Sequence, residues 1–562
     1  MDPVSAIREK LATALKAMDV SVVPEDILLE HTADLTHGDY ASNVAMVFAK
    51  QLKMNPRELA EKLAAEARGV EGVASVEVAG PGFINFTLAP EYLAELLEIG
   101  RQHGEKWGSG ISGKGKKIIL EFTDPNPFKE FHIGHLVPNA YGESISRLLE
   151  FSGADVKRAN YQGDVGIHVA KSLFIQLEKG ITDPTIEDLA VSYPEGSKRY
   201  EEDPAAKEAI DALNKKIYDN LSGQESDKEV NALYKKGREL SLVHFEKLYK
   251  ILGTKFDFYF FESETGPIGT DVVRAHPEIF PESDGAVIFR GEEHGLHTRV
   301  FLNKLGLPTY EAKEIGLAKM KEDAYPFDLT ITITGNEQAE YFKVVMKAME
   351  LALPELRGKL SYKTNGMLRF AEGKMSSRTG NIITGESLIN DITEVAKERA
   401  AESRAKNVEK LAEEIAVAAI KFQLLKSNMG KDVIFDREQA LSVEGDSGPY
   451  LQYTHARTHA IMEKAHEQKV KGKFDASQPA SDLARLVYRF YETVVHAQEE
   501  LEPHIVANYL IQVASAFNSW YAKEQILDGT DAAAHKVALT DIVRLTLKNG
   551  LWLLGIPAPE KV

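Results

Sequence analysis

The most constraining feature of this chain is a buried strand that runs into a corner where no strand can continue. Residues 116–122, KKIILEF, form the kind of apolar run that predicts a buried parallel strand. The run ends in Thr123-Asp124-Pro125-Asn126-Pro127, which breaks a strand. Apolar residues at helical spacing follow over 136–151. The sequence therefore predicts a strand, a sharp corner and a helix, with His132-Ile133-Gly134-His135 where the helix begins.

This corner is suited to binding a polyanion. The first N–H groups of a helix have no partner inside it, and the positive end of the helix dipole lies at the same place. His132 and His135 can donate to phosphate oxygens, and Gly134 lets a flat ring approach the backbone. We predict a nucleotide-binding corner, although a histidine at a helix start is usually only a polar cap.

A second motif far downstream changes the interpretation. Gly373-Lys374-Met375-Ser376-Ser377-Arg378-Thr379-Gly380 is a basic, hydroxyl-rich loop bounded by glycines, which by itself would be a solvated surface loop. In this order, the two motifs resemble the HIGH and KMSKS motifs of class I aminoacyl-tRNA synthetases. The resemblance implies that both loops embrace the triphosphate of ATP. The ATP-binding residues it implies are His132, Gly134, His135, Lys374, Met375, Ser376 and Ser377.

Further segments resemble the arginyl-tRNA synthetase family in particular. The resemblance spans nearly all of the chain, and several of its motifs are specific to the arginine enzyme. In chain order the segments are 37–43 (HGDYASN), 79–86 (AGPGFINF), 120–126 (LEFTDPN), 159–166 (ANYQGDVG), 308–316 (PTYEAKEIG), 448–457 (GPYLQYTHAR) and 554–560 (LGIPAPE).

Arginine recognition needs buried carboxylates, because a guanidinium has five donors in a fixed plane and no acceptor. Tyr310 and Glu314 stand four positions apart, which puts them on one face of a helix. The resemblance implies that Tyr310 packs on and hydrogen-bonds the substrate. It implies that Glu314, where the family usually has aspartate, grips the guanidinium. Without the motif, a core tyrosine beside a surface Glu–Lys pair would be the default interpretation.

Four more residues complete the arginine site that the resemblance implies. Glu121 and Asn126, at the mouth of the first strand, match the family's contacts to the α-amino end and to the guanidinium side of the substrate. Asn126 also suits a turn. Gln338 is a further candidate for the pocket. Asp164 follows a strand where such sheets bind ligands, and it could serve the substrate, serve ribose or simply end the strand.

The second motif departs from the family pattern at one position. Where KMSKS has its second lysine, this chain has Ser377, which cannot neutralise departing phosphates. Lys129 stands three residues before His132, and arginine enzymes that lack the motif lysine resemble this chain in carrying a lysine there. We hypothesise that Lys129 supplies the missing charge, against the alternative that it is an ordinary exposed lysine. The predicted catalytic residues are His132, His135, Lys129, Lys374 and Ser376.

Aromatic and basic residues are the expected readers of unpaired bases in tRNA. Phe83 and Asn85 occupy the family's positions for a base of the tRNA elbow. Tyr450, Tyr453, Arg457 and Tyr521 lie where the family builds its anticodon pocket, although helix-core tyrosines are the alternative.

The composition describes a globular chain of 562 residues with 43% hydrophobic and 27% charged residues. It has no cysteine, which excludes disulfides and cysteine-ligated zinc and suits a reducing cytosol. No leader or membrane-length apolar run is evident, so we expect a cytoplasmic protein without a membrane partner. The net charge of −18 argues against indiscriminate nucleic-acid binding, DNA included, so tRNA would need local basic patches.

The chain divides at visible seams into three predicted domains. Residues 1–105 predict an N-terminal α+β domain that binds tRNA. Residues 106–435 alternate strand and helix and predict a Rossmann-type parallel-sheet catalytic domain, with strands at 118–122, 156–161 and 329–334 and an insertion at about 175–325. Residues 436–562 predict a C-terminal all-α helical bundle that binds the anticodon.

The resemblance implies an arginine–tRNA ligase. Its substrates would be L-arginine, tRNA(Arg) and ATP as its Mg²⁺ complex, with no tightly bound metal site. It would be a monomer, and activation would require bound tRNA. Two other classes are a tRNA-binding regulatory module without catalysis, and a different class I synthetase or nucleotidyltransferase. The first would have little use for both motifs, and the second would lack the tyrosine–acid pair and the N-terminal domain.

Overall fold

The computed structural model describes residues 3–223, 227–370, 384–403 and 405–562. They form two compact units, each assembled from separate stretches of chain. The first unit comprises Met1–Gly108, Thr454–Thr493 and Leu510–Asn549. The second unit comprises Ser109–Tyr453, Val494–Tyr509 and Gly550–Val562. The three predicted domain ranges remain a prediction about the chain's organisation.

The second unit is built on a five-stranded parallel sheet. Lys117–Glu121 is the central strand, with Leu329–Gly335 on one side and Asp155–Gln162 on the other. Leu360–Asn365 and Phe258–Phe261 form the two edges. The three predicted strands are confirmed, while the edge strands were not predicted, and Phe258–Phe261 lies within the range expected to be an insertion. The parallel-sheet fold class is confirmed.

Helices cover this sheet because its central strand is apolar on both faces. Ile119 and Leu120 have no exposed surface, as expected for a strand in the middle of a parallel sheet. The helices here are Ile133–Phe151, Ile167–Glu178, Glu262–Ala275, Tyr310–Ala324, Ala339–Ala352, Gly385–Ala401, Val408–Leu425 and Arg437–Ala440. Small additional strands are Glu282–Ser283, Ala286–Phe289, Arg299–Leu302, Leu368–Phe370 and Val433–Phe435. We call Ile133–Phe151 the histidine helix and Tyr310–Ala324 the acid helix.

Three long helices follow Ile167–Glu178: Ile186–Glu202, Pro204–Leu221 and Lys228–Leu252. They lie within the range expected to be an insertion. Each starts at a side chain that accepts hydrogen bonds from the first turn, namely Thr185, Asp203 and Asp227. Their apolar faces share one core with Phe128, a residue of the corner loop. The corner is therefore packed against the inserted helices.

The last residues of the chain belong to the second unit and are held there through their backbone carbonyls. Ser144 Oγ donates to the carbonyl of Leu553 at 2.8 Å. Buried Lys421 donates to the carbonyl of Gly555 at 3.0 Å. The C-terminal segment therefore packs on the histidine helix, where Ser144 lies.

The first unit contains an antiparallel sheet of four strands, Glu30–His31, Tyr40–Ser42, Phe83–Leu88 and Val73–Ala79 in spatial order. Helices Pro3–Lys16, Val44–Leu52, Pro56–Ala67 and Pro90–His103 accompany it. Phe83 and Asn85, two of the predicted tRNA-binding residues, lie on the strand Phe83–Leu88. The carboxylate of Asp39 forms an ion pair with Arg485, and Trp107 Nε1 donates to Thr546 Oγ1 at 2.9 Å. Through such contacts, the N-terminal α+β layer and helices from late in the chain form one unit.

The chain after residue 436 is helical, as predicted. Beyond Arg437–Ala440, its helices are Gly448–Glu467, Asp482–Val487, Phe490–Glu500, His504–Tyr521 and Ala533–Leu553. Among the residues that the structure describes, no helix combines the length and the apolar character needed to cross a bilayer.

Candidate functional site

The corner loop between the central strand and the histidine helix has a strained backbone. Thr123, Asp124 and Phe128 have positive φ angles of 81°, 46° and 65°. This conformation is costly for residues other than glycine, above all for a β-branched one such as Thr123. The backbone N–H of Phe128 donates to Ser241 Oγ at 3.0 Å, which ties the end of the loop to an inserted helix.

The neighbouring strand holds the loop from the other side. Asp124 Oδ1 accepts a hydrogen bond from the backbone N–H of Tyr161 at 2.7 Å. Asn126 Oδ1 accepts one from the backbone N–H of Gly163 at 2.9 Å. Asn126 therefore has the turn-forming contact that the sequence also allowed, and its Nδ2 group remains a donor for a ligand.

His132 and His135 cap the helix that they begin. Gly134 N–H donates to His132 Nδ1 at 3.1 Å, and His132 N–H donates to His135 Nδ1 at 3.1 Å. The two rings stack with centroids 3.7 Å apart. Because both Nδ1 atoms accept, each neutral ring carries its proton on Nε2. A Cβ at position 134 would lie 2.8 Å from the His132 ring, so this arrangement requires glycine.

Both histidines are neutral at physiological pH. Burial and the nearby charge of Lys129 lower the pKa of His132. Burial, His132 and Lys129 lower the pKa of His135 well below its usual value. The Lys129 ammonium lies 4.9 Å from the ring centroid of Tyr193, and no acidic side chain in the described part of the chain forms an ion pair with it. The histidine pair therefore offers two neutral Nε2–H donors beside one cation.

Lys374, Met375, Ser376 and Ser377, predicted for the second motif, lie outside the described residues. The described chain resumes at Thr384, whose backbone forms a β-bridge with His132. Gly385 N–H then donates to the carbonyl of Phe131 at 2.7 Å. The segment that follows the motif is therefore attached to the histidine corner.

A cluster of carboxyl groups lies at the ends of the central strands, and three of them have cations built into the protein. Lys313 Nζ lies 2.5 Å from Glu262, and Arg299 Nη1 lies 3.3 Å from Glu311. Buried Glu121 contacts Lys321 through Oε2. Three of the carboxylates are thus neutralised before any ligand binds. The built-in pairs are Glu262–Lys313, Glu311–Arg299 and Glu121–Lys321.

Glu314 and Asp124 are the carboxyl groups of this cluster that no cation contacts within the described residues. Burial and the charge of Glu121 raise the pKa of Glu314 to about 8. The same two causes raise the pKa of Asp124 well above its usual value. A cation with several N–H donors would stabilise the ionised form of Glu314, because such a group is what the cluster lacks.

Two tyrosines besides the predicted Tyr310 interact electrostatically with Glu314. Tyr310 begins the acid helix and is 68% exposed, with the Lys313 ammonium 5.2 Å from its ring centroid. Burial is the largest cause of the raised pKa of Tyr341, and the charge of Glu314 is the next largest. Burial, Glu262 and Glu314 also raise the pKa of Tyr161. Tyr161 and Tyr341 are therefore close to the acid that the sequence paired with Tyr310.

Asp164 has a structural role in this arrangement. Its carboxylate is fully buried and accepts from Arg238 Nε at 2.9 Å and from Tyr234 at 3.1 Å. Ser263 donates to it from both its backbone N–H and its hydroxyl, at 2.9 and 2.8 Å. These contacts support the alternative that Asp164 ends its strand. Gln338, half-buried in the turn Asn336–Gln338, follows the neighbouring strand Leu329–Gly335.

The candidate tRNA-binding residues belong to both units. In the first unit, Phe83 is 40% exposed while Asn85 is buried beside it on the same strand. Arg457 lies over the ring of Tyr521, with its guanidinium carbon 5.5 Å from the centroid. In the second unit, Tyr450 is half-buried and Tyr453 is 41% exposed.

Sequence reasoning missed the built-in cations of the carboxyl cluster. Lys321 is the one with a readable signal, because it stands seven positions after Glu314 and so shares its helix face. The other two pairs each join the acid helix to a separate segment, which contributes Glu262 to one pair and Arg299 to the other. No spacing rule connects those segments to the acid helix. In the described part of the chain, no group of three or more His, Cys, Asp or Glu residues could hold a metal ion.

Three sequence families match the chain and together cover most of it. Residues 101–437 match tRNA synthetases class I (R), catalytic domain. Residues 451–562 match the DALR anticodon binding domain, and residues 5–88 match the arginyl tRNA synthetase N terminal domain.

Individual proteins that resemble this chain belong to the same family as these sequence models. The chain is 31% identical over 550 residues to an arginine–tRNA ligase of Clostridium perfringens, covering 93% of this chain and 94% of the relative. It is 30% identical over 579 residues to one of Clostridium acetobutylicum, covering 100% of both. Its fold is similar to Thermus thermophilus arginyl-tRNA synthetase, with a TM-score of 0.81, 27% identity and 99% coverage of both chains.

Proposed function

The chain belongs to the arginyl-tRNA synthetase family of class I aminoacyl-tRNA ligases, and we propose that it joins L-arginine to tRNA(Arg) at the site described above. The arginine carboxylate attacks the α-phosphate of ATP and pyrophosphate leaves. The 2′-hydroxyl of the terminal adenosine then attacks the carbonyl of the arginyl-adenylate, the anhydride bond breaks and AMP leaves. The histidine corner would hold ATP, and the carboxyl cluster would hold the side chain of arginine.

The observation that carries this proposal is the unpaired acid in the carboxyl cluster. Glu262, Glu311 and Glu121 have cations of their own, whereas Glu314 has none among the described residues. A guanidinium supplies one positive charge and donors in a plane, which suits a half-buried carboxylate that has no cation of its own among the described residues. Glu314 would therefore be the primary partner of the substrate side chain.

The remaining arginine contacts would come from the edges of this pocket. Glu121 would offer its second oxygen, and Asn126 its Nδ2 group, to the polar ends of the substrate. Tyr310 and Gln338 would close the pocket from the exposed side. The saturated hydrogen bonding of Asp164 supports leaving it out of the set that touches arginine.

The histidine pair would act on the phosphates as neutral donors. His132 and His135 have their Nδ1 atoms engaged in the cap, which leaves Nε2–H of each for oxygens on which charge grows. Little covalent work falls to the protein in phosphoryl chemistry, so such donors and nearby cations carry the catalysis. Lys374 and Ser376 of the second motif would serve the same phosphates.

Lys129 would supply the charge that Ser377 lacks. The electrostatic influence of Lys129 on both histidines supports its presence at the phosphate site, and it has no acidic partner in the described residues. Mg²⁺ would enter as the ATP complex, as the family resemblance implies.

For tRNA, exposed Phe83 with Asn85 would receive a base of the elbow. Arg457 with Tyr521, and separately Tyr450 and Tyr453, would serve the anticodon. We also propose that the protein acts as a monomer and that it activates arginine only with tRNA bound, since both properties come with the family resemblance.

Pyrophosphate exchange with each of the twenty amino acids, with and without tRNA(Arg), tests the proposal. We expect exchange with arginine alone, and only in the presence of tRNA. Exchange with another amino acid would favour a different class I enzyme. Absence of exchange, together with tight tRNA binding, would favour a regulatory module without catalysis.

A further inference from the structure

Lys321 occupies an unusual position for a lysine. It lies two turns after Glu314 on the acid helix, and its side chain is 4% exposed. The ammonium contacts Oε2 of Glu121, whose side chain is 3% exposed. Burying both charges is costly unless they are paired, so this contact must be kept in the folded protein.

The position of this contact determines how Glu121 faces the pocket. Lys321 takes one carboxylate oxygen, Oε2, and no donor among the described residues contacts the other oxygen, Oε1. The contact fixes the position of Oε2, and because the side chain of Glu121 is almost fully buried, packing restricts the positions that Oε1 can take. Lys321 thereby sets where Glu121 can accept a hydrogen bond from a ligand.

Lys321 also influences the pKa of Glu314 and Asp124, the two acids of the cluster that no cation contacts within the described residues. Its positive charge opposes the effect of burial and of Glu121 on the pKa of both Glu314 and Asp124. The cluster as a whole contains five acids and three fixed cations, namely Lys313, Arg299 and Lys321. With Asp124 protonated and Glu314 ionised, a bound guanidinium brings the total to four cations and four anions, which is the balanced state.

We propose that Lys321 is a positioning residue for arginine, which fixes one oxygen of Glu121 and leaves Glu314 as the carboxylate that must pair with the guanidinium. This inference rests on the proposed function, since it concerns the same pocket. Without Lys321, the guanidinium would meet two unpaired carboxylates and could bind in more than one register.

The pKa of Glu314 depends on charged groups from each structural element that packs around it. Glu121 comes from the central strand, Asp124 from the corner loop, and Glu262 from the helix Glu262–Ala275. Glu311 and Lys321 come from the acid helix itself. Lys321 is the cation of this set, and among the described residues its ion-pair partner is Glu121, so its removal should act directly on Glu314. Tyr161 and Tyr341 stay neutral because burial and the nearby acids raise their pKa values.

The test compares Lys321→Met, Lys321→Arg and the control Lys319→Met in the full-length enzyme with tRNA(Arg). Lys319 is on the same helix but pairs with Asp323 outside the cluster. We expect Lys321→Met to raise the KM for arginine at least about tenfold, because buried Glu121 loses its cation, while the KM for ATP changes less than about twofold. Lys321→Arg should restore most of the arginine KM, and Lys319→Met should match the wild type.

The pH profile separates positioning from mere stabilisation. Because Lys321 favours ionised Glu314, its removal should move the midpoint of the arginine KM profile to higher pH, whereas a purely structural lysine would change stability and leave the midpoint in place. A folded Lys321→Met enzyme with the wild-type arginine KM and midpoint overturns the assignment.

The double variant Glu121→Gln/Lys321→Met covers the case in which the single variant fails to fold. It removes both buried charges together, so the fold should survive. If Lys321 positions Glu121 for arginine, the double variant remains defective toward arginine. If it regains the wild-type arginine KM, the proposal is wrong. A wild-type enzyme that does not use arginine would overturn the proposed function as well, which distinguishes the two failures.

Discussion

Arginine binding should displace a proton from Glu314. In the empty pocket, burial and Glu121 raise the pKa of Glu314 to about 8, so the group is mostly neutral at pH 7. The guanidinium pairs with the ionised form. Ionising a group one pH unit below its pKa costs about 1.4 kcal/mol. Binding should therefore weaken about tenfold for each pH unit below 8 and release roughly 0.9 proton per arginine at pH 7.

Glu314→Gln is the matching perturbation. Glutamine has the shape of the protonated acid, so the empty variant should fold as the wild type does at pH 7. Removing one partner of a buried ion pair costs about 3–5 kcal/mol, from which the ionisation cost of about 1.4 kcal/mol is recovered. The expected net loss is about 1.5–3.5 kcal/mol, or roughly 10- to 400-fold in the affinity for arginine, with the affinity for ATP unchanged.

Two measurements check these values. The arginine KM in the exchange assay should fall about 15-fold from pH 6.5 to pH 8 in the wild type and stay flat in Glu314→Gln; the range stops there because the substrate's own α-amino group titrates above it. Titration calorimetry in buffers of different ionisation enthalpy gives the proton count directly. A pH-independent KM in the wild type, or equal proton release from the variant, would refute the reasoning.

The pH dependence of thermal stability independently checks the raised pKa of Glu314, because that pKa determines whether stability rises or falls with pH. A carboxyl group whose pKa is raised by folding stabilises the folded state at low pH, and this contribution disappears as the pH rises. The window runs from the ordinary glutamate value to the folded value of about 8. Between about pH 5 and 8, the empty wild type should therefore lose thermal stability relative to Glu314→Gln, and saturating arginine should abolish the difference.

Three further predictions concern the phosphates and tRNA. His132→Ala should lower exchange about 100- to 1000-fold while tRNA affinity stays intact, because one donor to developing charge is lost, and normal exchange would leave His132 as a helix cap only. Lys129→Ala should cripple activation, and Ser377→Lys should partly restore that variant while doing little alone; strictly additive effects in this cycle would contradict the charge replacement. Phe83→Ala should weaken tRNA binding by about 1–3 kcal/mol, the value of one stacked base, in a filter-binding assay where Tyr491→Ala, another exposed aromatic change, has no effect.

The sequence predicted the elements whose pattern is local and strong. The central strand is an uninterrupted apolar run, and the histidine helix follows it at a corner with two prolines, so both were predicted nearly at their observed bounds. The edge strands escaped because their patterns are weak. Phe258–Phe261 is a short aromatic run that also suits a helix, and Leu360–Asn365 is half polar and only partly buried.

The site was predictable in its motifs but not in its charge balance. His132, Gly134 and His135 are adjacent in sequence, so their joint role could be read from spacing. The pairing of Lys321 with Glu121 joins residues 200 positions apart, and nothing in either segment indicates the other. Family resemblance predicts which acids contact the substrate, whereas only the packed structure shows which acids already have partners.

The corner loop shows why this limit falls at the functional site. Local propensity would put glycine at Thr123 and Asp124, since both have positive φ, yet the chain has a β-branched and an acidic residue there. The conformation persists because distant groups hold it: Asn139 donates to Thr123 Oγ1 at 3.0 Å, and the backbone of Tyr161 binds Asp124. A sequence usually agrees with its fold at every level, and a local exception survives where another requirement outweighs its cost. Here the strained turn brings Asp124 into the carboxyl cluster and His132 to the helix start, so one loop supplies residues to both halves of the proposed reaction site.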